Sequence, residues 1–315
     1  MKKVALCIIL LSIIIPGFSQ QQPEYSMYIF SGLYLSPAYA GSHDVLSTTA
    51  IYRAQWLKMP GSPQTASIAV HSPLTNNHIA LGMIYTYDQI GPTKTNSLDV
   101  DFAYRIKVGK RKELNLSFGI SAGFENYNAS LSNIATTQPN DPSFTANSQN
   151  RWLPNVGFGF YAYSQKFFVG ASVPHILSNR LNSDASLFAT STNIARQYQT
   201  ILITGGYAID IGSKVKFIPS ALIKYIPVST SPTFDFTANF ILISRIWVGL
   251  GYRLNDAYIF TAAVNATKQL RIGYSYDLTV SPLNHFTSGT HEVMVSFDAG
   301  FKKGKMVKPE QINYF

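Results

Sequence analysis

The sequence predicts an all-β protein: a transmembrane antiparallel β-barrel of about 14 strands, of the outer-membrane type. Three observations predict it. The stretch Leu98 to Ile106, LDVDFAYRI, sets Leu98, Val100, Phe102, Tyr104 and Ile106 against Asp99, Asp101, Ala103 and Arg105. A period of two sends these sets to opposite faces of a strand, so one face meets something apolar and the other something wet. Charged residues are only 13% of the chain while hydrophobic ones reach 46%, against roughly 25% charged in an ordinary soluble domain. The 19 tyrosines and 20 phenylalanines suit the aromatic girdles of a barrel wall. A soluble β-sandwich would share the alternation but not the charge deficit.

The chain opens as a secretory leader, expected over residues 1–19. Lys2 and Lys3 form its charged start, Val4 to Ile15 its apolar centre, and Pro16, Gly17 and Ser19 a helix break with small residues for cleavage. The apolar run falls short of the ~20 residues that span a bilayer. Cys7, the only cysteine, lies inside it, so the mature chain is expected to carry no disulfide and no thiol-based metal site. The net charge of +9 falls by two, to +7, when Lys2 and Lys3 leave with the leader. In an exported chain without a nucleic-acid module, that balance points to anionic headgroups or an acidic protein rather than nucleic acid.

Residues 20–44 precede the first strand. They read as a periplasmic segment that folds into the lumen as a partial plug, lies across the periplasmic mouth, or simply leads into the wall. Strands are expected at 46–56, 64–72, 79–88, 98–106, 114–125, 155–163, 166–173, 197–211, 214–226, 233–243, 245–254, 257–266, 269–279 and 291–301, from alternation and turn residues. An even count closes the barrel across 45–301. The even-numbered connections are brief: PLTNN, VGKRK, SQ, GS, the join at Ser244, and TK. Several odd ones are long: 126–150, 174–196 and 280–290. Short turns on one side and long loops on the other are the pattern of bacterial outer-membrane barrels. The short-turn side would be periplasmic and would hold both the N- and C-termini. It is also basic, with Lys107, Lys110, Arg111, Lys112, Lys166, Lys214, Arg245 and Lys268. The tail over 302–315 adds Lys302, Lys303, Lys305 and Lys308. Such a rim can touch lipid headgroups or dock a periplasmic partner; Lys110, Arg111, Lys112, Lys302, Lys303 and Lys305 are the candidate docking residues.

Two segments go further. The first is QQPEYSMYIFSGLYLSPAYAGS, with Ser36, Pro37, Ala38, Tyr39, Ala40 and Gly41, followed by Tyr52, Arg53, Ala54, Gln55 and Trp56. The second is PNVGFGFYAYSQKFFVGASVPHIL. Together they resemble the PorP/SprF family of outer-membrane proteins of the type IX secretion system. Ser36 stands where Asn is expected, and either residue starts a turn before proline; the terminal INYF is looser than the family's usual ending. The resemblance implies a Bacteroidota outer-membrane component that acts in protein export. It implies partners too: membrane lipid, periplasmic secretion or motor components, and secreted cargo with a C-terminal sorting domain, such as gliding adhesins. From the residues alone, Ser36 to Gly41 is a proline turn and a glycine turn between aromatics, and Arg53 and Gln55 face the lumen.

No chemistry competes with that reading. The six histidines form no HExxH or paired metal spacing, and His43-Asp44 reads as a solvated turn. Gly157-Phe158-Gly159 lacks the third glycine of a dinucleotide loop; the glycines read as small residues on an inner face. No nucleophile–base pair stands out, so a non-enzyme without cofactor or metal is expected. The wet-face charges (Asp99, Asp101, Arg105, Glu125, Lys216, Lys224, Asp235, Arg253, Arg271, Asp277 and Asp298) mix signs, which suits a filled lumen better than a single-sign selectivity ring. The alternatives are an outer-membrane porin and an apolar-solute transporter.

Overall fold

Alternating side chains along fourteen segments close into one cylinder. In the computed structural model the described residues are 22–74, 78–109, 114–131, 148–179, 181, 197–229 and 232–299, with short strand pieces at Phe301–Lys302 and Lys305–Met306. The strands are β1 (Leu46–Ala54), β2 (Gln64–Pro73), β3 (Ile79–Ile90), β4 (Thr93–Val108), β5 (Leu114–Ala129), β6 (Ser148–Tyr163) and β7 (Phe167–Val173). After them come β8 (Ile201–Tyr207, resuming at Ile209–Ile211), β9 (Val215–Tyr225), β10 (Thr233–Leu242), β11 (Ile246–Arg253), β12 (Ala257–Asn265), β13 (Leu270–Thr279) and β14 (Thr290–Ala299). Each pairs antiparallel with its sequence neighbours. The ring shuts where β14 meets β1, Val293 opposite Tyr52. No edge strand is left in the wall, which is what a hydrocarbon environment demands of backbone polar groups.

The period of two sorts the side chains as expected. On β4, Val100, Phe102, Tyr104 and Ile106 point outward and are exposed on the isolated chain, while Asp101, Ala103 and Arg105 are buried. Phe118 and Ile120 on β5 and Val293, Val295 and Phe297 on β14 are likewise on the outside. The apolar set is therefore the lipid face.

Several boundaries differ from the expectation. β4 begins at Thr93 and β6 at Ser148, upstream of their apolar alternation. There the ladder continues through Thr93 opposite Ala129 and Asn96 opposite Asn126, because backbone pairing needs no apolar side chain once a strand leaves the hydrocarbon. The third connection is consequently a tight turn at Gly91-Pro92 rather than a loop. β1 stops at Ala54 instead of Trp56, whose φ of 51° takes the backbone out of the ladder. The strand ends that flank the even-numbered connections gather at one mouth and those that flank the odd-numbered ones at the other, where the eleventh connection, 254–256, is short as well. At 16 residues each, β4, β5 and β6 span ~50 Å at ~3.3 Å per residue. They rise beyond the ~25 Å apolar band and raise one side of the long-loop mouth.

Candidate functional site

The lumen is occupied by the chain's own N-terminal segment. Three single turns of 3₁₀ helix, Tyr28–Phe30, Gly32–Tyr34 and Pro37–Tyr39, carry it from the long-loop mouth to the short-turn mouth, where it enters β1. Its local shape follows from its residues. Ser36 is extended and its hydroxyl accepts the Ala38 N–H at 3.3 Å, while Pro37 supplies the fixed φ of a first helical position. Gly41 has φ +74°, a left-handed conformation that favours glycine. The Ser36 to Gly41 motif is thus a capped turn and a left-handed stop inside the barrel.

Small wall residues make room for it. A Cβ on Gly119 of β5 would collide with the Pro37-Ala38 backbone, and one on Gly159 of β6 with the Ser36 hydroxyl. Of the GFG glycines, Gly159 faces the segment, while Gly157 faces the Ser121 hydroxyl and the Pro174 carbonyl. Large wall residues pack against it. Tyr25, Met27, Phe30, Leu33 and Tyr39 pack with Ile51, Tyr161, Phe168, Ile218, Trp247 and Met294 into one apolar cluster. Phe30 meets Trp247 edge-on at 5.0 Å between ring centres, and the Arg271 guanidinium lies 5.4 Å from both rings. The lumen thus has an apolar core of its own besides the expected polar groups.

Charge fixes both ends. Near the long-loop mouth Arg53 donates to Glu292 at 2.9 Å, to Asp277 at 2.8 Å and to the Ser26 hydroxyl at 2.9 Å. Glu292 accepts the Ser26 and Met27 backbone N–H groups at 2.9 and 2.8 Å. Arg253 forks onto Asp235 at 3.1 Å and pairs with Glu24 at 3.3 Å and Asp277 at 3.5 Å. Burial opposes ionisation of Glu24, but Arg253, Lys224 and Arg53 outweigh it and hold its carboxyl down at about 2. Higher still, the Gln22 amide donates to His175 Nδ1 at 2.8 Å, and burial pushes that imidazole down to about 4. At the short-turn mouth Tyr39 bonds His43 at 2.9 Å, His43 pairs with Asp298 at 3.1 Å, and Arg105 holds the Gly41 carbonyl and Asp44. His43 is only 2% exposed, so the expected solvated turn is instead a buried anchor, because Asp298 and Tyr39 stand ready to bond both ring nitrogens.

The predicted motif residues separate by role. Arg53 is the hub of the upper network. Gln55 is buried above it, Tyr52 points outward at 49% exposure, and the Trp56 N–H bonds the Thr290 hydroxyl. Lys107, Lys166, Lys214, Arg245 and Lys268 are exposed around the short-turn mouth. Lys110, Arg111, Lys112 and Lys303 lie outside the described residues, while Lys302 and Lys305 pair in a two-residue ladder. Glu24, Ser26 and Glu292 were not singled out by the sequence. Glu292 is marked only by standing one residue out of phase with Val293 on the last strand.

Gln22 sits at the long-loop mouth and Ala299, the end of β14, at the opposite one. The geometry at Gln22 thus differs from an arrangement with both ends at the short-turn side, since the segment runs the length of the lumen before β1. The leader expected over 1–19 lies outside the described residues.

In fold the chain is similar to the Ralstonia pickettii toluene transporter TbuX (TM-score 0.50, 9% identity, covering 84% of this chain and 92% of that one). It is also similar to the CymD monoaromatic hydrocarbon channel (TM-score 0.48, 10% identity, 88% and 94%) and to the Acinetobacter baumannii outer membrane protein Omp33 (TM-score 0.44, 10% identity, 82% and 99%). Identities this low speak for the fold alone. No curated protein matches the chain. The sequence model of the family described as type IX secretion system membrane protein PorP/SprF matches residues 17–297. Since that match runs through both the threaded segment and the strands around it, the chain belongs to the PorP/SprF family of type IX secretion system membrane proteins.

Proposed function

We propose that this protein is a plugged outer-membrane scaffold of the type IX secretion system, non-enzymatic, which supports the secretion or surface attachment of cargo carrying a C-terminal sorting domain, gliding adhesins among them. The observation that carries the reading is the anchored segment in the lumen. A cylinder packed along its axis works through its two mouths, whereas a diffusion porin needs an open axis. In this reading the short-turn mouth faces the periplasm. Its exposed Lys107, Lys166, Lys214, Arg245 and Lys268, extended by Lys110, Arg111, Lys112 and the tail lysines Lys302, Lys303 and Lys305, dock acidic surfaces of periplasmic secretion or motor components. The long-loop mouth faces outward and meets cargo.

Deletion of the gene tests the role. Sorting-domain proteins should vanish from the cell surface or medium while uptake of small solutes continues, and the intact gene should restore them. Unchanged export after deletion would refute the reading. Affinity purification from mild detergent extracts should bring down a sorting-domain protein or periplasmic components; a barrel recovered alone would count against docking.

A further inference from the structure

Most carboxylates of the lumen have a partner: Asp277 and Glu292 pair with Arg53, Asp235 and Glu24 with Arg253, and Asp44 with Arg105, while Asp298 is hydrogen-bonded to His43. One stretch of wall breaks the pattern. On β3, β4 and β5, below the raised side of the long-loop mouth, Asp88, Asp99, Asp101 and Glu125 face a cavity of about 360 Å³, and no cation pairs with them among the described residues. Asp101 is 2% exposed and its Oδ2 has no hydrogen-bond partner. The basic side chains described in the lining are already engaged. Lys224 is 3.9 Å from Glu24, and His175 accepts from Gln22 through Nδ1. Asp101 is buried and Asp88, Asp99 and Glu125 are half-buried; grouping such carboxylates away from bulk water without a counter-charge is costly, so the cavity favours positive charge.

We infer that this cavity is a receptor site for a guanidinium or ammonium side chain carried on a polypeptide segment that enters from the long-loop mouth. A small metal ion fits poorly. Asp99 and Asp101 are two residues apart on one strand face, a spacing of about 7 Å, beyond what one ion with ~2.4 Å oxygen contacts draws together. Among the described residues no group of His, Cys, Asp or Glu is arranged to hold a metal. A planar fork of N–H donors on a long stem bridges such carboxylates readily. The rest of the lining suits the stem and the chain that carries it. Leu33, Tyr34, Ile84 and Leu202 offer apolar surface, and the hydroxyls of Ser97 and Ser121 offer partners for peptide groups. The volume lies within the range of ordinary ligand pockets. Free polyamines share the charge but not the peptide groups.

The inference does not depend on the secretion role, and the two fail separately: binding without any export defect on deletion would keep this one and remove the other. The test uses the full chain in detergent micelles or nanodiscs and a fluorescein-labelled, end-blocked peptide with one arginine among glycine, serine and leucine. Its twin carries citrulline, which keeps the shape and loses the charge. Anisotropy should show the arginine peptide binding at least tenfold more tightly than the citrulline peptide. The double variant Asp99→Asn, Asp101→Asn should lose about tenfold of the arginine-peptide affinity. That variant removes buried charge without changing shape, so an unchanged or raised melting temperature shows that it is folded. Equal binding of the two peptides, no binding by either, or full affinity in the double variant overturns the proposal. Spermidine resolves the source. Failure to displace the peptide at hundredfold excess supports a polypeptide ligand, and displacement at equimolar concentration overturns that part in favour of a free polyamine.

Discussion

Arg53 of the first strand and Glu292 of the last lie 2.9 Å apart, both essentially without solvent, and the Ser26 and Met27 N–H groups of the threaded segment bond the same carboxylate. One ion pair therefore ties the seam of the barrel to the segment inside it. Replacing Arg53 with Met leaves Glu292 buried without a counter-charge and Asp277 with Arg253 alone, a change worth about 3–5 kcal/mol. Thermal or urea unfolding in detergent should show that loss, and Arg53→Lys should recover only part of it, because one ammonium cannot reach all three acceptors.

Gly119 touches the backbone of Pro37 and Ala38, so its lack of a side chain sets the position of the segment. Gly119→Leu should destabilise by about 1–3 kcal/mol through overpacking and loosen the segment while the wall persists. Limited proteolysis should then cut between Gln22 and Val45, a stretch the parent protein protects. Equal protection in both would contradict this placement.

Glu24 has a folded-state pKa of about 2 against an ordinary 4.5. The sign follows from linkage: the ionised carboxylate stabilises the folded chain above the unfolded value of 4.5, and that contribution is lost as pH falls from 4.5 through about 2. Glu24→Gln should therefore melt below the parent at pH 6, and the gap should shrink toward zero by about pH 2. A gap that stays constant over that range would mean that Glu24 is not ionised beside Arg253.

The outer face makes a different demand. Phe102 stands in register with Leu81 and Ile120 on the exposed apolar side. Phe102→Arg should cost about 2–4 kcal/mol if it sits near the bilayer midplane, measured as unfolding from lipid vesicles, while Phe102→Leu should be nearly silent. A silent arginine would place this face in water.

The wall was legible in the sequence because lipid on one side and lumen on the other impose the same two-residue period on every strand. LDVDFAYRI alone displays it. What lies inside was far less legible. Ile218, Trp247 and Met294 occupy inward positions where a water-filled pore would have polar groups, yet in sequence they merge with the apolar alternation around them. Their partners Met27 and Phe30 belong to a stretch with no regular period, since three isolated 3₁₀ turns leave none to read. Arg53 could be assigned to the lumen by phase. Its convergence with Asp277 and Glu292 could not, because only closure of the ring brings residues 53 and 292 side by side. The acidic wall of Asp99 and Asp101 was visible as charge, but whether those charges had partners depended on how the other strands and the segment met them.

The central claim is that the axis is blocked by the chain's own N-terminal segment, and electrical conductance across a planar bilayer tests it most directly. The purified protein should give no stable conductance steps. A variant in which Gly119→Leu is joined to Arg53→Met should open sustained ones if its wall remains folded, as judged by its heat-dependent gel mobility. Large steady channels from the unmodified protein would show that ions pass freely through the barrel and would contradict the account.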